Sequence, residues 1–258
     1  MMQQKILSPG SKLKVFLRSV VYFSLVVVLT IVFPVIMLVC APFVSFSTSY
    51  KIANCWVRAH LWLLKTICGL RHDVRGLENI PKVSNGIIFS KHQSAWETIA
   101  MQRIFPPQVF ILKKELLRMP FFGWALATCN PIAINRSSKR EALNQVIEQG
   151  TQRLNDRLWV VIFPEGTRIS PGEKGKYGGG GALLAQKSGY PVVPVAHNAG
   201  EFWGKNSFLK HPGVIQVRIG PVIMTQGRRA SEIAKEAEAW IEMQMAEISG
   251  IGPNSAKH

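Results

Sequence analysis

The chain has 258 residues, of which 47% are hydrophobic, and a formal net charge of +16 at pH 7. This size and apolar content exclude global disorder and predict one sizeable α/β domain with an appendage. The positive charge favours polyanionic partners, such as nucleic acid, anionic lipid, or phosphorylated and acidic substrates. Composition alone does not choose among them.

The first predicted element is an apolar segment without any charged residue between Arg18 and Lys51. About 20 apolar residues are enough for a helix to cross a bilayer, and a cleavable signal peptide would have a shorter apolar region. Lys and Arg flank both ends, whereas a single span shows an excess on one side. Pro34 and Pro42 interrupt the run. We therefore predict a hydrophobic hairpin of two short helices, with a single span as the alternative.

Residues 50–69 form the next predicted element, a basic amphipathic helix. Trp56 and Trp62 would anchor it at the headgroup level of a membrane, or the helix would pack on the soluble part of the chain. The chain has four cysteines without a CxxC motif or metal-ligand spacing, which predicts reduced packing residues and a cytosolic working face. The expected location is the inner (cytoplasmic) membrane, with the α/β domain on its cytoplasmic face.

The rest of the chain alternates between short apolar runs and helical patterns. This alternation predicts a mixed α/β sheet covered by helices. The predicted strands are HDVRG, GIIFS, QVFIL, PIAIN, WVVIF, PVVPVA and GVIQVRI, and the predicted helices span residues 137–153, 180–188 and 231–248. The glycine-rich segment 170–181 predicts a flexible loop. The expected domains are a membrane anchor at residues 1–68, an α/β domain at 69–250 and a flexible tail at 251–258.

The stretch SKHQSAWET, residues 90–98, follows the predicted strand GIIFS. Ser94 and Glu97 fit the S-x-x-E capping box, in which Glu97 only bonds back to the helix start. That interpretation leaves His92 unexplained. A strand end is where α/β proteins bind ligands, and a histidine oriented by a carboxylate acts as a general base. Both interpretations of Glu97 remain open.

A second motif, FPEGTR at residues 163–168, follows the strand WVVIF. Arg168 is suited to bidentate anion binding, and Gly166 permits a close approach of the backbone. The alternative is that Glu165 and Arg168 simply pair with each other. Two further signals are weak when taken alone: Arg136 after the strand PIAIN, and Pro194 within the strand VVPV.

In this order the four motifs resemble the glycerolipid acyltransferases of the 1-acylglycerol-3-phosphate type. That family's pattern is H-x-x-x-x-D, an Arg-containing strand end, F-P-E-G-T-R-S and V-P-V. The segment KKELLRMPFFGW, residues 113–124, also resembles the family's Lys-containing segment, and the resemblance runs from about residue 70 to 222. This chain departs from the pattern in having Glu97 in place of Asp and Ile169 in place of Ser.

The resemblance implies transfer of a fatty acyl group to the sn-2 hydroxyl of 1-acylglycerol-3-phosphate, giving phosphatidic acid in phospholipid biosynthesis. The donor would be a thioester, acyl-CoA or acyl carrier protein, and no metal or other cofactor is implied. His92 would be the general base and Glu97 its orienting carboxylate. The implied substrate-binding residues are Lys114, Arg136, Glu165, Gly166, Thr167 and Arg168.

Two alternatives remain. A sister acyltransferase would take another lysophospholipid, glycerol-3-phosphate or a lipid-A-type acceptor. A non-enzymatic, membrane-tethered basic module binding nucleic acid or anionic lipid would explain the charge and the anchor, but not His92 and Glu97 in register with FPEGTR. The expected partners are therefore lysophosphatidic acid, the thioester donor and anionic membrane lipid, and no nucleic acid.

Overall fold

The computed structural model describes residues 9–105, 107–135 and 137–255. Within them lie seven strands: β1 (Leu70–Arg75), β2 (Ile87–Ser90), β3 (Gln108–Lys113), β4 (Ile132–Ile134), β5 (Trp159–Ile162), β6 (Val192–His197) and β7 (Gly213–Ile219). They form one sheet in the order β1-β7-β6-β2-β5-β3-β4. Neighbours are parallel except β6 and β7, which are antiparallel. The predicted mixed sheet is confirmed, and each strand coincides with a predicted apolar run.

Helices cover both faces of the sheet. They are α1 (Pro9–Cys40), α2 (Phe46–Leu63), α3 (Trp96–Ile104), α4 (Phe122–Ala127), α5 (Lys139–Asn155), α6 (Gly180–Ser188) and α7 (Ala230–Ile248). Because side chains alternate along a strand, Ile87 and Phe89 face the core shared with α5, α6 and α7, and Ile88 faces the core shared with α2 and α3. Central strands buried on both faces explain the continuous Val/Ile runs of the sequence.

The boundaries of two predicted helices follow local chemistry. The Ser138 hydroxyl accepts the Glu141 N–H at 3.3 Å and caps α5. Gly189 ends α6 with a φ of 73°, a left-handed conformation that favours glycine. The short helix α4 was not predicted, since six residues carry too little periodicity to be distinguished from a turn.

The N-terminal segment differs from the predicted hairpin of two short helices. Helix α1 continues through Pro34 as a single element of 32 residues, and the chain reverses only after Cys40, in a turn that contains Pro42. The span Gly10–Phe43 is long and apolar enough to cross a membrane, judged by length and composition. The predicted amphipathic helix is part of α2, which packs against α1 and α3 and leaves Trp62 exposed.

Two segments predicted to be flexible make specific contacts. In the glycine-rich loop, Gly178 donates its N–H to the Pro164 carbonyl at 2.7 Å. At the start of the predicted tail, Ile251 and Gly252 donate their N–H groups to the buried Glu201 carboxylate at 3.2 and 2.9 Å. These contacts link both segments to the rest of the domain. Their mobility stays a prediction, and residues 256–258 lie outside the described residues.

Helix α7 offers a direct test of the core. Ile241 is fully buried between the helix and the sheet, whereas Met243 is 53% exposed on the same helix. We expect Ile241→Ala to lower the free energy of unfolding by about 2–5 kcal/mol through the cavity it leaves. Met243→Ala is the matched control and should change it by less than about 0.5 kcal/mol. Equal effects in detergent-based chemical unfolding would contradict the assigned helix face.

Candidate active site

The sheet topology brings the two strongest motifs to one edge. β2 lies between β5 and β6, and all three are parallel. Because parallel strands end at the same edge, SKHQS after β2 and FPEGTR after β5 leave the sheet side by side. The contact is direct, since the Ile169 N–H donates to the His92 carbonyl at 2.8 Å. The resulting crevice lies where α/β proteins bind ligands.

His92 and Glu97 form a hydrogen-bonded pair in this crevice. His92 Nδ1 lies 2.8 Å from Glu97 Oε1, the His92 side chain is 14% exposed, and that of Glu97 is fully buried. The imidazole also stacks on Phe163, with ring centroids 4.1 Å apart and an interplanar angle of 15°. The ring is thus held on its Nδ1 edge and on one face. The methylene that Glu97 adds over the family's Asp does not prevent the contact.

The Glu97 carboxylate accepts hydrogen bonds both from the backbone just before α3 and from the imidazole. Its Oε1 also accepts the backbone N–H groups of Gln93 and Ser94 at 2.9 and 2.7 Å. Burial alone would raise the pKa of Glu97, but the His197 and His92 imidazoles and the Ser94 N–H outweigh it and hold the pKa below its ordinary range. The two sequence interpretations of Glu97 are therefore compatible.

The ionised carboxylate sets the tautomer of His92. A carboxylate only accepts hydrogen bonds, so the proton between Glu97 and His92 belongs to Nδ1. The Nε2 atom then carries the lone pair of the neutral ring. His92 also lines a cavity, described below. This arrangement therefore has the properties of a general base.

A second buried histidine, missed as a site residue by the sequence analysis, lies behind the pair. His197 Nε2 donates to the Lys91 carbonyl at 2.8 Å, and its Nδ1 accepts the Ala199 N–H at 3.3 Å. Burial lowers the pKa of His197, and the nearby Glu97 carboxylate opposes this effect. Its Nε2 lies 4.0 Å from Glu97 Oε2. A signal was present, because His197 lies two residues after VPV, at the end of β6, which reaches the same edge of the sheet.

Glu165 does not occupy the position expected of a substrate contact. Its side chain is fully buried, with Oε1 2.6 Å from Lys91 Nζ and Oε2 accepting the His92 backbone N–H at 2.9 Å. It does not pair with Arg168, as the structural interpretation of FPEGTR had suggested. The carboxylate supports the backbone of His92 from beneath the crevice.

A cavity of about 1100 Å³ opens at His92 and extends to the N-terminal helices. Its far wall includes Phe33, Pro34 and Met37 of α1. Most of the remaining wall is apolar and comes from α2, α3, β3, α4 and α5. A largely apolar cavity of this volume is suited to a hydrocarbon chain.

Three cations and no acidic side chain line the cavity within the described part of the chain. The cations are Lys113, Lys139 and Arg168. Among the described residues, none of the three forms an ion pair or a side-chain hydrogen bond. Uncompensated cations on the wall of the cavity that His92 lines favour binding of an anionic group there.

The other predicted site residues are placed differently. Lys114 and Thr167 are exposed and do not line the cavity, so Lys113, the last residue of β3, takes the position expected of Lys114. Gly166 lines the cavity with a φ of 67°, which favours glycine for its backbone conformation. Arg136 lies outside the described residues.

The pKa of Glu97 leads to a test by pH. A carboxyl whose pKa is lower in the folded state stabilises the fold above its unfolded pKa, ordinarily 4.5, and loses this contribution as pH falls through the folded pKa. The stability advantage of the wild type over Glu97→Gln should therefore be present at pH 5 and shrink progressively below pH 4.5. Thermal unfolding in detergent between pH 7 and pH 3 measures it. An advantage that is unchanged at pH 3 would show that folding does not lower the pKa of Glu97.

Comparisons with known proteins agree with this geometry. The Acyltransferase family model matches residues 71–198. The 1-acyl-sn-glycerol-3-phosphate acyltransferase of Pseudomonas aeruginosa is 45% identical over 239 residues, covering 91% of this chain and 93% of that protein. The Saccharomyces cerevisiae protein of the same name is 31% identical over 215 residues, covering 78% and 68%.

Among solved structures, the 1-acyl-sn-glycerophosphate (LPA) acyltransferase PlsC of Thermotoga maritima has the same fold. The TM-score is 0.76 at 22% identity, and the match covers 92% of this chain and 96% of that one. The sequence identity to the P. aeruginosa protein extends over nearly the full length of both chains. The chain therefore belongs to the acyltransferase family.

Proposed function

We propose that this protein transfers a fatty acyl group from a thioester donor, acyl-CoA or acyl carrier protein, to the sn-2 hydroxyl of 1-acylglycerol-3-phosphate. The observation that carries the proposal is that His92, paired with Glu97, lines a largely apolar cavity whose wall also holds three cations that pair with no described residue. A lysophospholipid has the matching chemistry, because its phosphate, hydroxyl and hydrocarbon chain require these three environments side by side. The names of the relatives from P. aeruginosa and S. cerevisiae support the same acceptor.

The proposed reaction needs one group that takes a proton from the acceptor hydroxyl and passes it to the leaving thiolate. His92 Nε2 takes the proton of the acceptor hydroxyl as its oxygen attacks the thioester carbonyl. The carbonyl becomes a tetrahedral oxyanion, which collapses with breakage of the carbon–sulfur bond. The leaving thiolate receives the proton from the His92 imidazolium, so the products are a diacyl phospholipid and a free thiol. Glu97 stabilises the imidazolium through Nδ1.

Arg168 is the strongest candidate for binding the acceptor phosphate. Its guanidinium lines the same cavity as His92 and is not neutralised by any described residue. Lys113 and Lys139 line the same cavity and would add to the positive potential. Holding the phosphate would place the neighbouring hydroxyl next to His92 and so lower the entropic part of the barrier. Arg136 remains a prediction for the same role.

We further propose that residues 1–68 anchor the protein in the inner (cytoplasmic) membrane, with the α/β domain on the cytoplasmic face. Large apolar side chains of α1 face outwards, among them Ile31 and Val39 at 61% and 65% exposure. Anionic lipid headgroups would complement the basic surface. Because Phe33 and Met37 of the same helix line the cavity, substrate hydrocarbon would lie next to the anchor.

The activity itself is tested with detergent-solubilised protein. Thiol release from a long-chain acyl-CoA and from acyl-acyl carrier protein is measured with and without 1-acylglycerol-3-phosphate. We expect acceptor-dependent release and a phosphatidic acid product. A parallel panel with glycerol-3-phosphate and other lysophospholipids tests the sister activities, and preference for one of these would replace the proposed acceptor. Ile169, which replaces the family's Ser, gives no reason to expect a different acceptor. Its side chain packs near Gly175 and does not line the cavity.

His92→Ala should lower kcat by about 10²–10⁴-fold, the usual contribution of a general base. The thermal unfolding midpoint should stay close to that of the wild type, because the imidazole lies at the cavity surface. His72→Ala, which removes an exposed imidazole on β1, is the control and should retain full activity. Activity of His92→Ala within a few-fold of the wild type would remove this residue from the mechanism.

Arg168→Ala should raise the KM for the acceptor roughly tenfold to hundredfold, because a charge-assisted hydrogen bond contributes about 1.5–3 kcal/mol. The KM for the thioester donor should change much less. Arg103→Ala removes an exposed arginine of α3 and should leave both constants unchanged. A fall in kcat with an unaltered acceptor KM would argue against a role in phosphate binding.

A further inference from the structure

A buried lysine connects the last helix of the chain to His92. Lys91, the residue before His92, is 1% exposed, and its Nζ lies 2.6 Å from Glu165 Oε1 and 3.0 Å from Glu242 Oε1. Glu242 belongs to α7, far beyond the region that matches the family model. A lysine is almost never buried without charged partners. The two carboxylates therefore hold this cation in the interior.

The contacts form a continuous chain from α7 to the imidazole. Glu165 bonds Lys91 with one oxygen and the His92 backbone N–H with the other, at 2.9 Å. Glu242 accepts from Lys91 and also from the Tyr177 hydroxyl at 3.2 Å. Burial and the neighbouring carboxylates raise the pKa of Tyr177, so its hydroxyl stays protonated and able to donate.

Helix α7 itself is held firmly against the sheet. Its inner face packs in the core through Ile233, Ala237 and Ile241. On its outer side, Glu238 pairs with Lys174 of the glycine-rich loop at 2.8 Å. Glu242 is therefore presented from a rigid element, which is what positioning of a reactive group requires.

We infer that Glu242 is a positioning residue, which acts through Lys91 and Glu165 to hold the backbone of His92 where its ring meets the substrate hydroxyl. Glu242 does not line the cavity, so it acts on the rate and not on substrate affinity. This inference rests on the proposed function for its kinetic readout. It also predicts a property of His92 that can be measured without turnover.

Glu242→Gln keeps the shape of the side chain and removes its charge. We expect kcat to fall about tenfold, since displacing a reacting group by 1 Å can cost roughly 100-fold, with both KM values within twofold of the wild type. Glu247→Gln makes the same change at an exposed position of α7 and should leave all constants unchanged. Similar thermal unfolding midpoints for the two variants would exclude a general loss of stability.

A double-mutant cycle tests the route through the lysine. If Glu242 acts through Lys91, adding Glu242→Gln to Lys91→Met should lower kcat by less than twofold, whereas independent effects would multiply. Glu165→Gln, which weakens the next contact of the same route, replaces Lys91→Met in the cycle if that variant fails to fold. Multiplicative effects would overturn the proposed route.

The second readout is carbethoxylation of His92 by diethyl pyrocarbonate, followed by mass spectrometry of its peptide. A loosened ring should react about threefold faster in Glu242→Gln and at the wild-type rate in Glu247→Gln. Identical rates in both variants, with identical kcat, would refute the positioning role. If the wild type does not acylate any acceptor but the rates differ as expected, the proposed function fails and the positioning of His92 stands.

Discussion

Two buried carboxylates hold one histidine, and the rest of the site depends on this interaction. Glu97 accepts the imidazole N–H together with the backbone N–H groups of Gln93 and Ser94, just before α3, and Glu165 accepts the backbone N–H of His92. A buried carboxylate stays ionised only when nearby groups favour its charge. For Glu97 these groups are the two imidazoles and the Ser94 N–H, and the contact with His92 also orients the ring.

The sheet topology explains why these groups can meet at all. Parallel β2, β5 and β6 direct SKHQS, FPEGTR and His197 to the same edge. Helix α1 closes the far end of the cavity with Phe33 and Met37, so the apolar segment has a structural role within the domain. A lysophospholipid carries a charged phosphate and a hydrocarbon chain in one molecule, and the cavity wall holds both cationic and apolar side chains.

Much of the fold could be predicted because strands and long helices are local properties of the sequence. The seven Val/Ile-rich runs, the serine cap of α5 and the glycine end of α6 each carry their signal within a few residues. Proximity of His92 and Glu97 followed from their spacing, and the shared edge followed from the strand ends. Their catalytic roles, like the substrate contact of Arg168, stay predictions.

The errors share a physical cause, which is long-range packing. Lys91 contacts Glu165 and Glu242, which lie 74 and 151 residues away along the sequence. No spacing pattern in the sequence exists at such separations. Pro34 does not break α1, because a proline costs a helix one bond and a local distortion that tertiary contacts can offset. Lys113 and Lys114 are adjacent, and only the alternation of β3 at its last residue decides which one faces the cavity.

The C-terminal segment has a consequence for shortening the chain. Glu201 is 1% exposed, and its carboxylate receives the backbone N–H groups of Gly250, Ile251 and Gly252 just after α7. Removing these three residues would take their hydrogen bonds away from the buried Glu201 carboxylate near the C-terminus of α7. The glycines of this segment suggest that the C-terminal end is dispensable. Because of the Glu201 contacts, however, we expect truncations or fusions to be tolerated only beyond Gly252.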